Sequence, residues 1–359
     1  CNGAAGKERD RGMRDVRPVV AAIVAALVIL LGAATYGAIH MYQFLNSPVT
    51  VSGDGVDFEI TAGSSFSRVS RQLAEREIIA EPRLLRLYAR WTGAASEVQA
   101  GDYRILPGAT PKELLQQFTS GDVKLYSFTI IEGWNQWDLL RALQGQAQLD
   151  ASLTDEDWPA FLESLGASTN HPEGLFLPET YRFPRGTTDR ALLQQAYEHM
   201  QETLAEEWAN RAEDLAVNSP YEALILASIV EKETARVDER ARIAGVFTRR
   251  LHKRMRLQTD PTVIYGIGPG FDGNLRRRDL RTDTPYNTYT RRGLPPTPIA
   301  MPGRAAINAA LNPADGEELF FVATGLGDGS HKFSNTKEEH DAAVAEYLRQ
   351  LRRNRSQGL

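Results

Sequence analysis

The sequence predicts an α+β protein with a single N-terminal transmembrane helix, a small αβ module and a larger α+β domain. Three observations support this prediction. First, one apolar run is long enough to cross a bilayer. Second, a pattern of a strand, a glycine turn and a helix occurs three times. Third, amphipathic helices and short strands are predicted in the rest of the chain. A chain of 359 residues with 42% hydrophobic residues is long enough for more than one packed unit.

Composition excludes some classes of function. The formal net charge is -5, so the chain has no basic footprint and nucleic acid is not expected as a partner. Cys1 is the single cysteine, which rules out a disulfide within the chain. The six histidines show no metal-binding spacing. We therefore expect neither a metal nor another cofactor.

The apolar run extends from Val19 to Ile39 and lies in a stretch, residues 18–53, without Lys, Arg, Asp or Glu. About twenty apolar residues cross a bilayer as a helix. Five basic residues precede the run: Lys7, Arg9, Arg11, Arg14 and Arg17. The positive-inside rule then predicts a cytoplasmic tail (1–17), an anchor (18–45) in the inner membrane, and an extracytoplasmic remainder. A cleaved signal peptide and a buried core helix are the alternatives, and Met13 is a candidate start because the first residue is not methionine.

Three stretches share one pattern, in which an isoleucine is followed three residues later by Gly63, Gly108 or Gly133. Apolar residues stand six and ten positions beyond each glycine, as a strand, a glycine turn and an amphipathic helix require. Ser64 to Ser67, and Thr110 with Pro111, are expected helix starts. Residues 46–125 therefore form a candidate LysM-like module, since glycan-binding LysM modules have the order strand, helix, helix, strand.

The rest of the chain is expected to alternate helices with two late strands. Helices are predicted at 188–216, 220–236, 240–253 and from 336, and strands at 319–323 and 331–334. Three glutamates of the first of these helices are expected to form a solvated face: Glu202, Glu206 and Glu207. Residues 255–303 are rich in Gly, Pro, Thr and Tyr, and such a long irregular stretch usually lines a functional site.

Two glutamates end an apolar run in "ILASIVEKET". On a helix Glu231 and Glu233 lie about 200° apart, so only one of them faces a given cleft. Glu233 continues the bulkier stripe of Leu226, Ile229 and Val230, and desolvation there would raise its pKa as a general acid requires. Glu231 is expected on the opposite, exposed face. The alternative is that both glutamates only solvate a helix end.

The irregular stretch supplies groups that suit a sugar ligand. Gln258 and Asp260 precede a predicted proline turn, and Tyr286, Asn287 and Tyr289 stand before a rigid Gly-Leu-Pro-Pro bend. Aromatic faces and bidentate amides match the apolar faces and hydroxyl edges of sugars. Loop packing is the alternative interpretation of the tyrosines.

Five ordered motifs resemble the MltG or YceG-like endolytic murein transglycosylases, over about residues 20–350. The motifs are "PEGLFLPETYRF", "ASIVEKETA", "RLQTDPTVIYG", "TPYNTYTRRGLPPTPIAMPG" and "HKFSNTKEEHD". The resemblance implies a membrane-anchored enzyme that cuts peptidoglycan strands internally and leaves 1,6-anhydro-N-acetylmuramic ends. It implies that residues 126–359 are catalytic, and that peptidoglycan synthases are candidate partners.

The same resemblance places the catalytic glutamate on Glu233 and gives the substrate-binding positions as Glu173, Gln258, Asp260, Tyr286, Asn287 and Tyr289. One carboxylate suffices if the C6 hydroxyl of the substrate attacks its own anomeric carbon, because Glu233 can serve first as acid and then as base. Two alternatives stay open. One is a muramidase with Glu173 or Asp260 as second carboxylate, and the other is a non-catalytic glycan-binding scaffold.

Overall fold

The computed structural model describes residues 17–356, which divide into two compact units at the bond between Lys124 and Leu125. The described part is a mixture of helices and short strands, so the α+β prediction is confirmed. The predicted tail, with all its basic residues except Arg17, lies outside the described residues, as does the candidate start at Met13.

The first unit begins with helix α1 (Arg17–Asn46). Its segment Val20–Asn46 is long and apolar enough to cross a membrane by length and composition. The side chains of this segment up to Ile39 are exposed to the surroundings. At the end of α1 Leu45 is buried and Phe44 packs against the core of the module that follows.

The module of the first unit has the order strand, helix, helix, strand, followed by a third helix. Its elements are β1 (Val56–Ile60), α2 (Phe66–Glu75), α3 (Pro82–Trp91), β2 (Gly101–Ile105) and α4 (Pro111–Ser120). Strands β1 and β2 are antiparallel, with Val56 opposite Ile105. Phe58, Tyr103 and Phe118 are fully buried between the strands and the helices.

The glycine turns and helix starts of the three similar stretches are confirmed. Gly63, Gly108 and Gly133 have φ of 75°, 86° and 78°, a conformation that glycine adopts without steric cost. Ser65 and Thr110 cap α2 and α4 through their side chains. All six apolar residues predicted to face inward are buried: Val69, Leu73, Leu114, Phe118, Leu139 and Leu143.

The second unit is mainly helical with three small sheets. Its helices are α5 (Gln136–Gln144), α6 (Trp158–Ser164), α7 (Asp189–Ala209), α8 (Pro220–Glu233), α9 (Val237–His252), α10 (Asp260–Ile267), α11 (Arg304–Leu311) and α12 (Lys337–Ser356). Its strands are β3 (Leu125–Thr129), β4 (Leu149–Asp150), β5 (Thr180–Pro184), β6 (Thr187–Thr188), β7 (Phe320–Ala323) and β8 (His331–Ser334). Strands β3 and β5 pair antiparallel, β4 and β6 pair parallel, and β7 and β8 form an antiparallel hairpin.

Helix α8 lies at the centre of the second unit. Its residues 223–230 are all buried, and it packs against α7, α9, α10 and α11. Ser219 caps its first turn and Pro220 occupies the first helical position, where a missing N–H costs nothing. The polar end of this buried helix, at Glu233, is thereby fixed within the unit.

The structure corrects three predictions. Pro261 is not part of a turn: it stands in the first turn of α10, which Asp260 begins. The helix predicted at 188–216 ends at Ala209. Glu207 of that helix is buried rather than solvated, because it accepts a hydrogen bond from Asn308 Nδ2 (2.7 Å) and pairs with Arg304.

Candidate functional site

The candidate site is built around the carboxylate of Glu233, the last residue of α8. Glu233 is partly buried, and its Oε1 accepts a hydrogen bond from the hydroxyl of Thr259. Thr259 is itself buried, directly before α10. The carboxylate is therefore held in one position by a side chain from another element.

The surroundings of Glu233 favour its protonated form. Burial, with a smaller contribution from the charge of Asp260, raises its pKa to about 6. The hydrogen bond from Thr259 and the nearby His331 and Arg250 oppose this rise. A carboxyl group with a pKa near 6 can donate a proton and accept one again near neutral pH.

Three threonines connect Glu233 with the loop that carries the predicted sugar-binding residues. The hydroxyl of Thr288 accepts from the backbone N–H of Thr259 (3.1 Å) and shares a hydrogen bond with the hydroxyl of Thr262 (2.9 Å). Thr262 also donates to the carbonyl of Thr259 (2.7 Å). All three threonines are buried, so these contacts tie the start of α10 to residue 288.

Asp260, Tyr289 and Gln258 lie beside this threonine cluster. The Tyr289 hydroxyl donates to Oδ1 of Asp260 (2.6 Å), and Asp260 is exposed. Gln258 has φ of 53°, an uncommon value for a residue with a side chain, and its N–H donates to the Thr288 carbonyl (3.3 Å). The side chain of Gln258 is exposed. These three predicted residues are thus gathered near Glu233.

Glu173 and Tyr286 belong to a second, more buried group. Glu173 is fully buried, and its Oε2 accepts from the backbone N–H of Gln136 (3.0 Å). Burial raises the pKa of Glu173 to about 8, so this carboxyl is mostly neutral at pH 7. The ring of Tyr286 packs edge-on against Tyr265 of α10, and its hydroxyl bonds with Thr297 (2.9 Å). Helix α10 therefore carries both groups, with Asp260 in one and Tyr265 in the other.

Asn287 does not line a cleft as the sequence predicted. Its side chain is fully buried, and its amide donates to the carbonyls of Asp279, Leu280 and Thr282 while its oxygen accepts from the Tyr289 N–H. The donor and acceptor groups of the side-chain amide are therefore all used by hydrogen bonds within the loop. Asn287 therefore shapes the loop that presents Tyr289.

Glu231 is also not exposed, contrary to the prediction from helix geometry. Its side chain is only 5% exposed and pairs with the buried Arg240 (2.9 Å), while its Oε2 accepts from the N–H of Gly303 (3.0 Å). Burial raises the pKa of Glu231, and the Gly303 N–H and Arg240 oppose that rise. Residues of α9 and of the start of α11 cover this face of α8, so Glu231 is held in a buried ion pair.

A cleft of about 650 Å³ borders this ion pair on the side of Arg240. Its charged and polar lining residues are Glu132, Glu179, Glu207, Arg240, Arg304 and Asn308. Several of these groups pair with one another, as Arg240 with Glu132 (3.2 Å) and Arg304 with Glu207 (3.2 Å). The two faces of α8 therefore differ: one holds paired charges, and the other holds Glu233 with a single hydroxyl donor.

Comparison with known proteins gives the family. The sequence profile of the YceG-like family matches residues 58–346. The chain belongs to the YceG-like family. A relative from Bacillus subtilis, named endolytic murein transglycosylase, is 31% identical over 344 residues, covering 89% of this chain and 91% of the relative. A Streptococcus pneumoniae protein of the same name is 28% identical and matches 92% of this chain and 66% of its own length.

A solved YceG-like structure has the same fold. The crystal structure of a YceG-like protein from Listeria monocytogenes superposes with a TM-score of 0.50 at 28% identity, and the match covers 81% of this chain and 99% of that one. The match extends over both the module and the helical unit, because 81% of the chain exceeds either unit alone.

Sequence reasoning missed several residues of this YceG-like site. Thr259 stands between the predicted residues Gln258 and Asp260. A single threonine in a sequence does not indicate whether its hydroxyl binds a carboxylate or only belongs to a loop. Arg250 is buried at the end of α9 and donates to the carbonyls of Leu257 (2.6 Å) and Leu319 (2.6 Å). Its signal was weak, because an arginine late in a helix is normally solvated. Within residues 17–356 no group of three or more His, Cys, Asp or Glu is arranged to hold a metal.

Proposed function

We propose that the chain is an endolytic murein transglycosylase, an enzyme that cuts peptidoglycan glycan strands internally. The relatives that carry this name match nearly the whole chain at 28 to 31% identity. The observation that carries the proposal within this chain is the partly buried carboxyl of Glu233, with a pKa raised to about 6 and an oxygen held by Thr259. The bond cut is the β-1,4 bond between N-acetylmuramic acid and N-acetylglucosamine.

The first step is general acid catalysis by Glu233. Its protonated carboxyl donates to the glycosidic oxygen, and the bond from that oxygen to the anomeric carbon of the muramic residue breaks. The leaving strand departs with a free hydroxyl. Desolvation supports this role because it keeps a useful fraction of Glu233 protonated near neutral pH.

The second step closes the product ring. The C6 hydroxyl of the muramic residue attacks its own anomeric carbon, and the carboxylate of Glu233 accepts the hydroxyl proton. Glu233 is thereby restored to its protonated form, and the product carries a 1,6-anhydro end without addition of water. The hydroxyl of Thr259 holds the carboxylate for both steps, and the contacts of Thr288 and Thr262 hold Thr259 in place.

A muramidase is the second candidate, and Asp260 is the observation that favours it. Asp260 is exposed beside Glu233 and could activate water as a second carboxylate. Glu173 is less suited to that role because it is fully buried and mostly neutral at pH 7. The bond from Tyr289 to Asp260 suits a positioning group, so we favour the transglycosylase.

Mass analysis of digested glycan strands separates the candidates. The full chain in detergent is incubated with purified strands, and anhydro ends are about 18 Da lighter than the ends that hydrolysis leaves, since one water is not added. We expect anhydro ends, and long strands should shorten before small fragments accumulate. Glu233→Gln is the inactive control. Ordinary reducing ends would instead identify a muramidase, and no cleavage by a folded chain would favour the glycan-binding scaffold.

The anchor, the module and the topology complete the proposal. Helix α1 crosses the inner membrane with the N-terminus in the cytoplasm, residues 46–125 act as a LysM-like glycan-binding module, and residues 126–359 carry out the reaction. Peptidoglycan synthases are candidate partners because nascent strands are the substrate. A reporter that works only outside the cytoplasm, fused after Leu359, should be active, and activity of a cytoplasmic reporter there would contradict this topology.

A further inference from the structure

Helix α3 presents an apolar face that the first unit does not cover. Leu85 and Ala89 are fully buried against the module core, whereas Leu87 is 59% exposed and Trp91 is 83% exposed. At 100° per residue, Leu87 lies opposite the buried pair and Trp91 lies 40° from Leu87. An exposed tryptophan beside an exposed leucine on a short helix is unusual for a surface that faces only water.

The same face carries positive charge. Arg90 and Arg83 lie 60° and 40° from Leu87 on its other side, and both are exposed. Helix α3 contains three arginines and no acidic residue. Within the described chain, neither Arg83 nor Arg90 forms an ion pair, so both charges are available to a partner outside the unit. The face therefore combines a cationic edge with an aromatic and aliphatic edge.

Helix α3 begins next to the end of the apolar segment of α1. Nε2 of His40 lies 3.0 Å from Oε1 of Glu81, the residue that precedes α3. The apolar run ends at Ile39, one residue before His40. Tyr36 and Tyr42 are exposed at this level, where aromatic residues mark the boundary between lipid and water. A membrane-crossing α1 would thus bring the start of α3 to the headgroup region.

We propose that α3 docks on the anionic phospholipid surface of the membrane that α1 crosses. Tryptophan and leucine enter the headgroup boundary, and Arg83 and Arg90 contact lipid phosphates. The anchor raises the effective concentration of lipid at α3, so a helix of ten residues is sufficient although it would bind weakly alone. The inference rests on the proposed anchor and is independent of the proposed transglycosylase reaction.

The test measures the surroundings of position 87 in the full chain. Leu87→Cys, in a Cys1→Ser background, carries an environment-sensitive fluorophore and is reconstituted into vesicles of phosphatidylcholine with phosphatidylglycerol. Quenching is measured with spin-labelled lipid and with aqueous iodide. Glu59→Cys, on the exposed side of β1, is the matched control within the same unit.

We expect lipid to quench the label at 87, and iodide to quench it at least about two-fold less than the label at 59, as for an interfacial helix. Arg83→Gln with Arg90→Gln should reduce the lipid quenching in anionic vesicles to the level seen in pure phosphatidylcholine. An unchanged melting temperature shows that the double variant is folded. Trp91→Ala should reduce lipid quenching in both membranes.

Three results would overturn the proposal. The label at 87 could be as open to iodide as the label at 59, or be shielded only when glycan strands are added, or be shielded only at high protein density. The last two would identify a glycan-binding face and a contact between copies. Retention of the chain by vesicles in high salt tests the anchor, and cleavage of glycan strands tests the reaction, so failure of either is recognised separately.

Discussion

The hydroxyl of Tyr289 donates a 2.6 Å hydrogen bond to Oδ1 of Asp260, and Asp260 lies one residue from the threonine that holds Glu233. This contact joins the tyrosine loop to the start of α10. It keeps a negative charge close to the proposed acid, and that charge raises the pKa of Glu233. The pH dependence of the reaction should therefore respond to Asp260.

Removal of this charge should move the pH profile to lower pH. The reaction needs protonated Glu233, so wild-type kcat/KM should fall about tenfold per pH unit well above pH 6. Asp260→Asn lowers the pKa of Glu233 because a repelling charge is lost, so this fall begins at a lower pH. Rates on glycan strands from pH 4.5 to 8 check the shift. A profile that is unchanged in Asp260→Asn would contradict the electrostatic role.

Glu233→Gln should be inactive and more stable at neutral pH. Loss of a general acid and base lowers turnover by roughly 10²- to 10⁴-fold. The pKa of Glu233 rises on folding from 4.5 to about 6, so the folded state binds this proton more tightly than the unfolded state. The resulting stabilisation is fully present below pH 4.5 and is lost as the pH rises through 6. The neutral amide avoids that loss, which is about 1 to 2 kcal/mol above pH 6.

Thermal unfolding of both proteins at pH 4 and pH 7.5 measures this difference. The two melting temperatures should be closer at pH 4 than at pH 7.5. A Glu233→Gln variant that retains activity while a stable Glu231→Gln is inactive would show that the other face of α8 carries the chemistry.

Thr259→Val should impair catalysis and shift the pH profile in the opposite direction to Asp260→Asn. The threonine hydroxyl lowers the pKa of Glu233, so its removal raises that pKa. The carboxylate also loses the donor that fixes its position, and we expect kcat to fall about tenfold. Thr259→Ser keeps the hydroxyl and should restore both the rate and the profile. A normal Thr259→Val beside a defective Thr259→Ser would instead point to packing by the methyl group.

Glu231→Gln should mainly destabilise the fold. Removal of one charge leaves the buried Arg240 with only the half-exposed Glu132 as partner, at a cost of about 1 to 3 kcal/mol. Activity per folded molecule should stay within about threefold of wild type, because Glu231 does not contact the Glu233 cluster. Urea unfolding combined with activity at low temperature measures the two effects separately.

Glu173→Gln should have almost no effect on activity at pH 7. The carboxyl of Glu173 is mostly neutral there, since burial raises its pKa to about 8, and glutamine has the same shape and charge. We expect kcat/KM within about twofold of wild type. Glu173→Ala is the contrasting variant, because it leaves the Gln136 N–H without its acceptor and costs about 1 to 3 kcal/mol. A large loss of activity in Glu173→Gln would restore Glu173 as a candidate second carboxylate.

The fold was predictable where local chemistry determines it. Glycine turns, side-chain caps and apolar spacing identified the elements around Gly63, Gly108 and Gly133. The helix predicted from residue 336 is α12, where Glu339 N donates to the Thr336 hydroxyl (3.2 Å). Helix α11 was missed because its small apolar residues follow a proline-rich stretch without a strong periodic signal. Strand β5 was missed because its partner, β3, lies more than fifty residues earlier.

The site was predictable in composition but not in arrangement. The apolar residues Leu226, Ile229 and Val230 predicted desolvation of Glu233, which is partly buried and has a raised pKa. The burial of Glu231 depends on Arg240 and Gly303, which come from other elements and leave no trace in the helix pattern. Asn287 has the residue type of a ligand contact, and only the loop carbonyls around it show that its amide is already used.

The buried guanidinium of Arg250 has a consequence for the timing of synthesis. It bonds the carbonyl of Leu257, just before Thr259, to the carbonyl of Leu319, at the start of the last hairpin. With the proposed topology, a chain that is still crossing the membrane cannot complete this connection until residue 319 has been exported. The proposed transglycosylase should therefore become active against the cell wall only after its C-terminal hairpin has folded.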